Sequence, residues 1–162
     1  DDFLHAHRDY AHEPEPYEWL DEPAEPDAES FYRQLELSVE RLRRYPPGAR
    51  VIAERSPVDF LAYLLALDDL HRSGRDCALI ASATELAAEG IQQLDLLIVL
   101  PLDDGIELAE SEDLELREAM NERLLDLITT DPYALFTQAT PRVVEIEGSP
   151  RERLLALEAV IE

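Results

Sequence analysis

The amino-acid sequence predicts an α/β domain, a three-layer, doubly wound and mostly parallel sheet with helices on both faces. Three observations carry that expectation. Short runs at 51–53, 95–100 and 142–146, apolar or β-branched, read as strands. Between them lie stretches with apolar residues at helical spacing, long enough for the crossovers that parallel strands require. Leu94 to Leu100 is nearly all aliphatic and closes on Pro101, which reads as a strand buried on both faces.

The elements follow in chain order. Residues 1–27 mix histidine, acid and proline, and Pro14, Pro16, Pro23 and Pro26 forbid a long helix, although a short extended piece ending near Glu13 fits. Asp27 is an N-cap for a helix that carries Phe31, Leu35, Val39 and Leu42 on one side. Arg41, Arg43 and Arg44 fall in its last turn, where positive charge suits the helix dipole, and Pro46-Pro47-Gly48 ends it. Val51-Ile52-Ala53 is expected to be a buried strand. Ser56-Pro57-Val58-Asp59 then reads as a helix start, with a hydroxyl cap, proline at the first position and acid three after the cap. That helix runs to about Leu70, and a second runs from Cys77 to Glu89. Ser111 is expected to open a long amphipathic helix bearing Leu116, Met120, Leu124, Leu127 and Ile128, and residues 150–161 close the chain as a helix.

Composition narrows the function. A chain of 162 residues, 46% apolar and 31% charged, suits a single globular domain. No apolar stretch reaches the roughly 20 residues of a membrane span, and the start shows neither a signal peptide nor a methionine, as for a trimmed or truncated beginning. A single cysteine, Cys77, fits a reducing compartment, and a cytoplasmic location is the expectation. Thirty-seven acidic against 14 basic residues give a net charge of −23, which argues against nucleic acid as partner. Every basic residue apart from histidine is arginine, so Schiff-base chemistry and a phosphate-binding lysine are both excluded.

In a doubly wound sheet, ligands sit at the carboxyl ends of the strands. Glu54-Arg55-Ser56 follows the 51–53 run, Pro101 and Asp103-Asp104 follow the 95–100 run, and Glu13 and Glu15 follow the first extended piece. A capping box explains Ser56, Pro57 and Asp59 without any function. It leaves Glu54 and Arg55 unexplained, and such a pair can hold hydrated Mg²⁺ and clamp phosphate oxygens.

The segment Val51 to Leu64, with its Glu54-Arg55-Ser56 triplet, resembles the strand-to-helix signature of P-loop deoxynucleoside kinases and of nicotinamide-riboside-kinase-type, AAA-type ATP-binding proteins. Glu15-Pro16-Tyr17-Glu18-Trp19 is similar to their Glu-Pro…Trp stretch. Leu94 to Pro101, followed by Asp113 to Leu124, resembles their fourth strand and arginine-bearing lid helix, within a lid-like segment at 103–131. The resemblance implies an ATP- and Mg²⁺-dependent phosphotransferase acting on a nucleoside-like small molecule. It would make Glu15 the carboxylate that activates a hydroxyl, Glu54 the acid near Mg²⁺, and Arg55 a phosphate clamp. Arg117 and Arg123 would be lid arginines, or else part of a solvated helix face with Glu–Arg pairs. Tyr17 and Trp19 either line a base pocket or staple a loop to the core.

The family opens with an apolar strand and a Gly-x-x-x-x-Gly-Lys-Ser/Thr loop, and neither occurs in this sequence. By that layout roughly 30 residues, with the central first strand and the P-loop, are expected to be missing, leaving a gap beside Ile52 and Ile98. Two other readings stand beside the kinase: an ATPase or ATP-binding regulator that phosphorylates nothing, and a non-catalytic acidic interaction domain. A homodimer is left open. His5, His7 and His12 read as a polar loop or, if they share a strand face, as a Zn²⁺ site. Cys77 reads as a small core residue.

Overall fold

The computed structural model of the chain describes residues 2–20, 26–72, 77–101, 113–136 and 141–161. The protein is mixed α/β. In chain order the elements are α1 (Asp2–Ala6), β1 (Ala11–Glu13), a 3-10 turn (Pro16–Trp19), α2 (Ala28–Leu42), β2 (Val51–Ala53), α3 (Pro57–Asp69), α4 (Cys77–Ile91), β3 (Leu96–Val99), α5 (Leu114–Thr129), β4 (Arg142–Glu145) and α6 (Pro150–Ile161).

The helix starts follow from local chemistry. Asp27 caps α2 by accepting from the Ser30 amide at 2.9 Å. At α3, the Asp59 carboxylate accepts from both the amide and the hydroxyl of Ser56, at 2.8 and 2.6 Å, with Pro57 at the first helical position. The long amphipathic helix begins at Asp113, which accepts from the Leu116 amide at 3.1 Å; Ser111, the expected start, lies outside the described residues, as do Asp103 and Asp104.

Helix α3 is the axis of the core. Val58, Phe60, Leu61, Ala62, Leu64, Leu65, Ala66 and Leu67 are all buried, on every side of the helix. A helix apolar all round needs neighbours all round, and α2, α4 and α5 supply them. Leu35 and Val39 of α2, Ala83, Ala87 and Ile91 of α4, and Leu116, Met120 and Leu127 of α5 close the cluster, with Leu97 of β3 joining it.

The strands form two parallel pairs. β1 runs beside β2 with Ala11 opposite Val51, and β3 runs beside β4 with Leu96 opposite Arg142. The expected parallel strands are present, but among the described residues they make two separate two-stranded sheets, order β1-β2 and β3-β4, and no single doubly wound sheet joins them. Burial departs too. Val51, Ile52 and Ala53 are only half-buried, and on β3 Leu97 and Val99 are buried while Leu96 and Ile98 are half-buried. A strand with one ladder partner cannot be covered as fully as one in mid-sheet. Cys77 is exposed, contrary to the expectation of a core residue, because it is the first residue of α4 and precedes that helix's buried face.

Candidate functional site

The carboxyl ends of β1 and β2 are adjacent because the two strands run parallel in register, with the Glu54 amide donating to the Glu13 carbonyl at 2.9 Å. The chain leaves β1 through the 3-10 turn and leaves β2 through the Glu54-Arg55-Ser56 bend into α3. These two exits face α2 across a cavity of about 240 Å³, lined by Glu15, Tyr17, Pro26, Ser30, Phe31, Gln34, Arg55, Phe60 and Tyr63.

One wall is aromatic. Phe31 of α2 and Tyr63 of α3 stack with ring centroids 4.3 Å apart and planes 5° from parallel. Beside them Gln34, 8% exposed, donates from Nε2 to the Ser30 hydroxyl at 3.3 Å, and its second N–H and its carbonyl retain hydrogen-bonding capacity. At the rim Arg55 Nε donates to Glu15 Oε1 at 3.1 Å, and its Nη1 lies 3.7 Å from Asp59. Burial opposes the charge on Arg55, but Asp59 and Glu15 outweigh it, so the guanidinium is held above its ordinary range. Arg55 has a φ of 66°, the left-handed region that a non-glycine residue seldom occupies.

The residues singled out in the sequence are thus partly brought together. Glu15, Tyr17 and Arg55 line one cavity. Glu54 is an exposed neighbour that does not line it, with His12 Nε2 2.8 Å from its Oε1. Trp19 lies outside the cavity, its ring 3.8 Å under the Arg41 guanidinium, which is the loop-stapling arrangement. Arg123 donates from Nε and Nη2 to Asp69 at the far end of α3, and each shifts the other, Asp69 downward and Arg123 upward. Arg117 is half-buried on α5, one residue after the buried Leu116. The 103–112 part of the lid-like segment lies outside the described residues.

Gln34, Phe31 and Tyr63 line the cavity without having been expected there. The available signal was polar: Ser30, Gln34 and Ser38 recur every fourth residue on the buried side of α2, where an apolar stripe is expected. Arg41, expected to be a dipole partner, is paired with the buried Glu13. The three histidines go separate ways, because residues 2–6 are helical and not strand. His5 is exposed, His7 stacks on Phe3 and meets Glu158, and His12 meets Glu54. Among the described residues no three His, Cys, Asp or Glu side chains converge as a metal-ligand set, and no helix is long and apolar enough to cross a membrane.

A hydrated Mg²⁺ needs one or two carboxylates and takes its other oxygens from water and phosphate, so at this site the exposed Glu54, outside the cavity and beside His12, is the carboxylate that could hold it. The triphosphate of ATP does not fit these residues: the sequence holds neither the glycine-rich amide cradle nor the lysine that would neutralise it. Comparison with protein-family models, with curated proteins and with solved structures returned no match.

Proposed function

We propose that the cavity between α2 and the ends of β1 and β2 is the acceptor site of a Mg²⁺-dependent phosphotransferase for a nucleoside-like small molecule. One observation carries this reading: Glu15 and Arg55, forty positions apart, meet at 3.1 Å on the rim of a cavity walled by the Phe31–Tyr63 stack. A flat heteroaromatic ring suits the aromatic wall, and the Gln34 amide can read its polar edge. Glu15 is placed to take the proton of an acceptor hydroxyl, and Arg55 to meet the charge of a phosphate arriving there. Mg²⁺, held through Glu54, would neutralise phosphate oxygens.

The donor half requires parts outside these residues. In this reading the two strand pairs are the flanks of one doubly wound, P-loop-kinase-type sheet with a further strand between them. Ladder geometry supports it. Ala11 donates to the Arg50 carbonyl and Glu54 to the Glu13 carbonyl, so by the alternation of a parallel ladder Val51 and Ala53 turn their polar groups away from β1. Likewise Arg142 donates to Asp95 and Ile146 to Val99, which turns those of Leu96 and Ile98 away from β4.

The test is turnover of ATP by the full-length protein carrying this chain, with and without a nucleoside acceptor. Glu15→Gln and Arg55→Met are each expected to lower acceptor-dependent turnover by about 100-fold or more, with little change in thermal midpoint. Near-unchanged turnover in both variants overturns the assignment. ATP hydrolysis that ignores every nucleoside favours instead the ATP-binding regulator.

A further inference from the structure

We propose that Arg41 is a positioning residue for this pocket, clamping both ends of the loop that carries Glu15 and Tyr17; the functional part of this inference rests on the acceptor-site reading above. Arg41 stands in the last turn of α2, 20% exposed at its side chain. Its Nε donates to Glu13, the last residue of β1, whose side chain is only 8% exposed. The same guanidinium covers the ring of Trp19, the last residue of the 3-10 turn, at 3.8 Å. Tyr45, just beyond α2, donates its hydroxyl to the other Glu13 oxygen at 2.7 Å. One side chain therefore fixes the residues on either side of positions 14–18, the segment that supplies Glu15 and Tyr17 to the cavity.

The anchor belongs to α2, the helix that supplies the facing wall through Ser30, Phe31 and Gln34. Arg41 thus sets the spacing between Gln34 and Glu15, and with it the width of the cavity. A carboxylate and an aromatic face are complementary partners for a planar cation, which can bond in its plane and stack across it.

Amide hydrogen exchange tests the clamp. Trp19→Leu removes the stack but leaves the Glu13 ion pair, and a half-exposed Trp19 is not needed for the core. It is expected to speed exchange of the amides of residues 15 and 17–20 about fivefold while α3 keeps its protection. Arg41→Met is expected to do more, and to shift the emission of Trp19, the only tryptophan in the chain; Arg41→Lys, which keeps the charge on Glu13, is expected to restore part of the protection. In calorimetry, adenosine or thymidine binding by the chain should weaken in the same order. Unchanged exchange at residues 15 and 17–20 in Trp19→Leu, or an equal rise throughout α3, overturns the proposal, and this variant decides even if Arg41→Met fails to fold. If the unmodified chain binds neither nucleoside, the acceptor reading falls while the exchange pattern still decides the clamp.

Discussion

Arg55 joins two unusual features, a left-handed backbone and a guanidinium shared between Glu15 and Asp59. A left-handed non-glycine residue costs about 1 kcal/mol or more, so the bend is maintained by what surrounds it. Arg55→Gly is therefore expected to remove the strain with the ion pairs, and Arg55→Met to remove the ion pairs and keep the strain. At 40% exposure those pairs contribute at most about 1 kcal/mol. Chemical denaturation should find Arg55→Gly as stable as the parent within about 1 kcal/mol, and more stable than Arg55→Met. Equal losses in both variants would show that the bend is unstrained. Tyr45 gives a second test. Its hydrogen bond to Glu13, helped by burial and by the Glu13 charge, raises the phenol above its ordinary 10.0. A raised value favours the protonated form in the folded state, so this contribution is whole below about pH 10 and is lost as pH climbs through the raised value. Thermal midpoints of the parent and of Tyr45→Phe, compared from pH 8 to 11.5, should converge at the alkaline end. A constant difference across that range would mean that the Tyr45–Glu13 bond does not set the titration.

The start of α3 shows what was legible in the sequence at the scale of elements. Ser56, Pro57 and Asp59 carry their roles in their spacing, because capping acts within one turn. The helix ends and the apolar stripe of α2 were readable for the same reason, and the parallel direction of the strands from the long connections between them. The cavity was not: it needs Phe31 against Tyr63 and Glu15 against Arg55, contacts that no local pattern encodes. Nor did the acidic run before the 3-10 turn announce that Glu13 would be buried and Glu15 left at the rim. Gly90 is a further non-local case. A Cβ built there would stand 2.5 Å from Pro57 Cγ and 2.8 Å from Val39 Cγ2, so α4 approaches the first turn of α3 and the side of α2 only because position 90 has no side chain. Gly90→Ala is expected to destabilise by about 1–3 kcal/mol through overpacking, despite the better helix propensity of alanine. The displaced Pro57 should also disturb the adjoining Ser56 and Arg55. A neutral or stabilising result in denaturant unfolding would refute the close approach. Ser56→Ala, by contrast, should cost only about 1 kcal/mol.

At the scale of the molecule, the apolar core and the surface charge answer different questions. The α2–α3–α4–α5 cluster accounts for a folded body, and the strands, each with one ladder partner among the described residues, are only partly covered beside it. An aliphatic run records that a strand is to be covered, and says nothing about which segment covers it. The net charge of −23 bears on ligands. Its field repels a triphosphate, and many of the guanidinium groups able to receive one already face carboxylates: Arg41 with Glu13, Arg43 with Glu89, Arg50 with Asp9, Arg72 with Asp113 and Glu115, and Arg123 with Asp69. A nucleoside carries no such charge, so under the proposed reading it is expected to enter the aromatic cavity without that penalty. The chain by itself should therefore separate the two halves of a nucleotide. Calorimetry is expected to show no ATP affinity tighter than about millimolar, since neither an amide cradle nor a lysine is present to offset the repulsion. Raising salt from about 0.05 to 0.5 M should shorten the screening length and leave nucleoside binding nearly unchanged. Micromolar ATP binding at low salt would reveal a phosphate site built from other residues and would overturn the expectation that these residues do not hold a triphosphate.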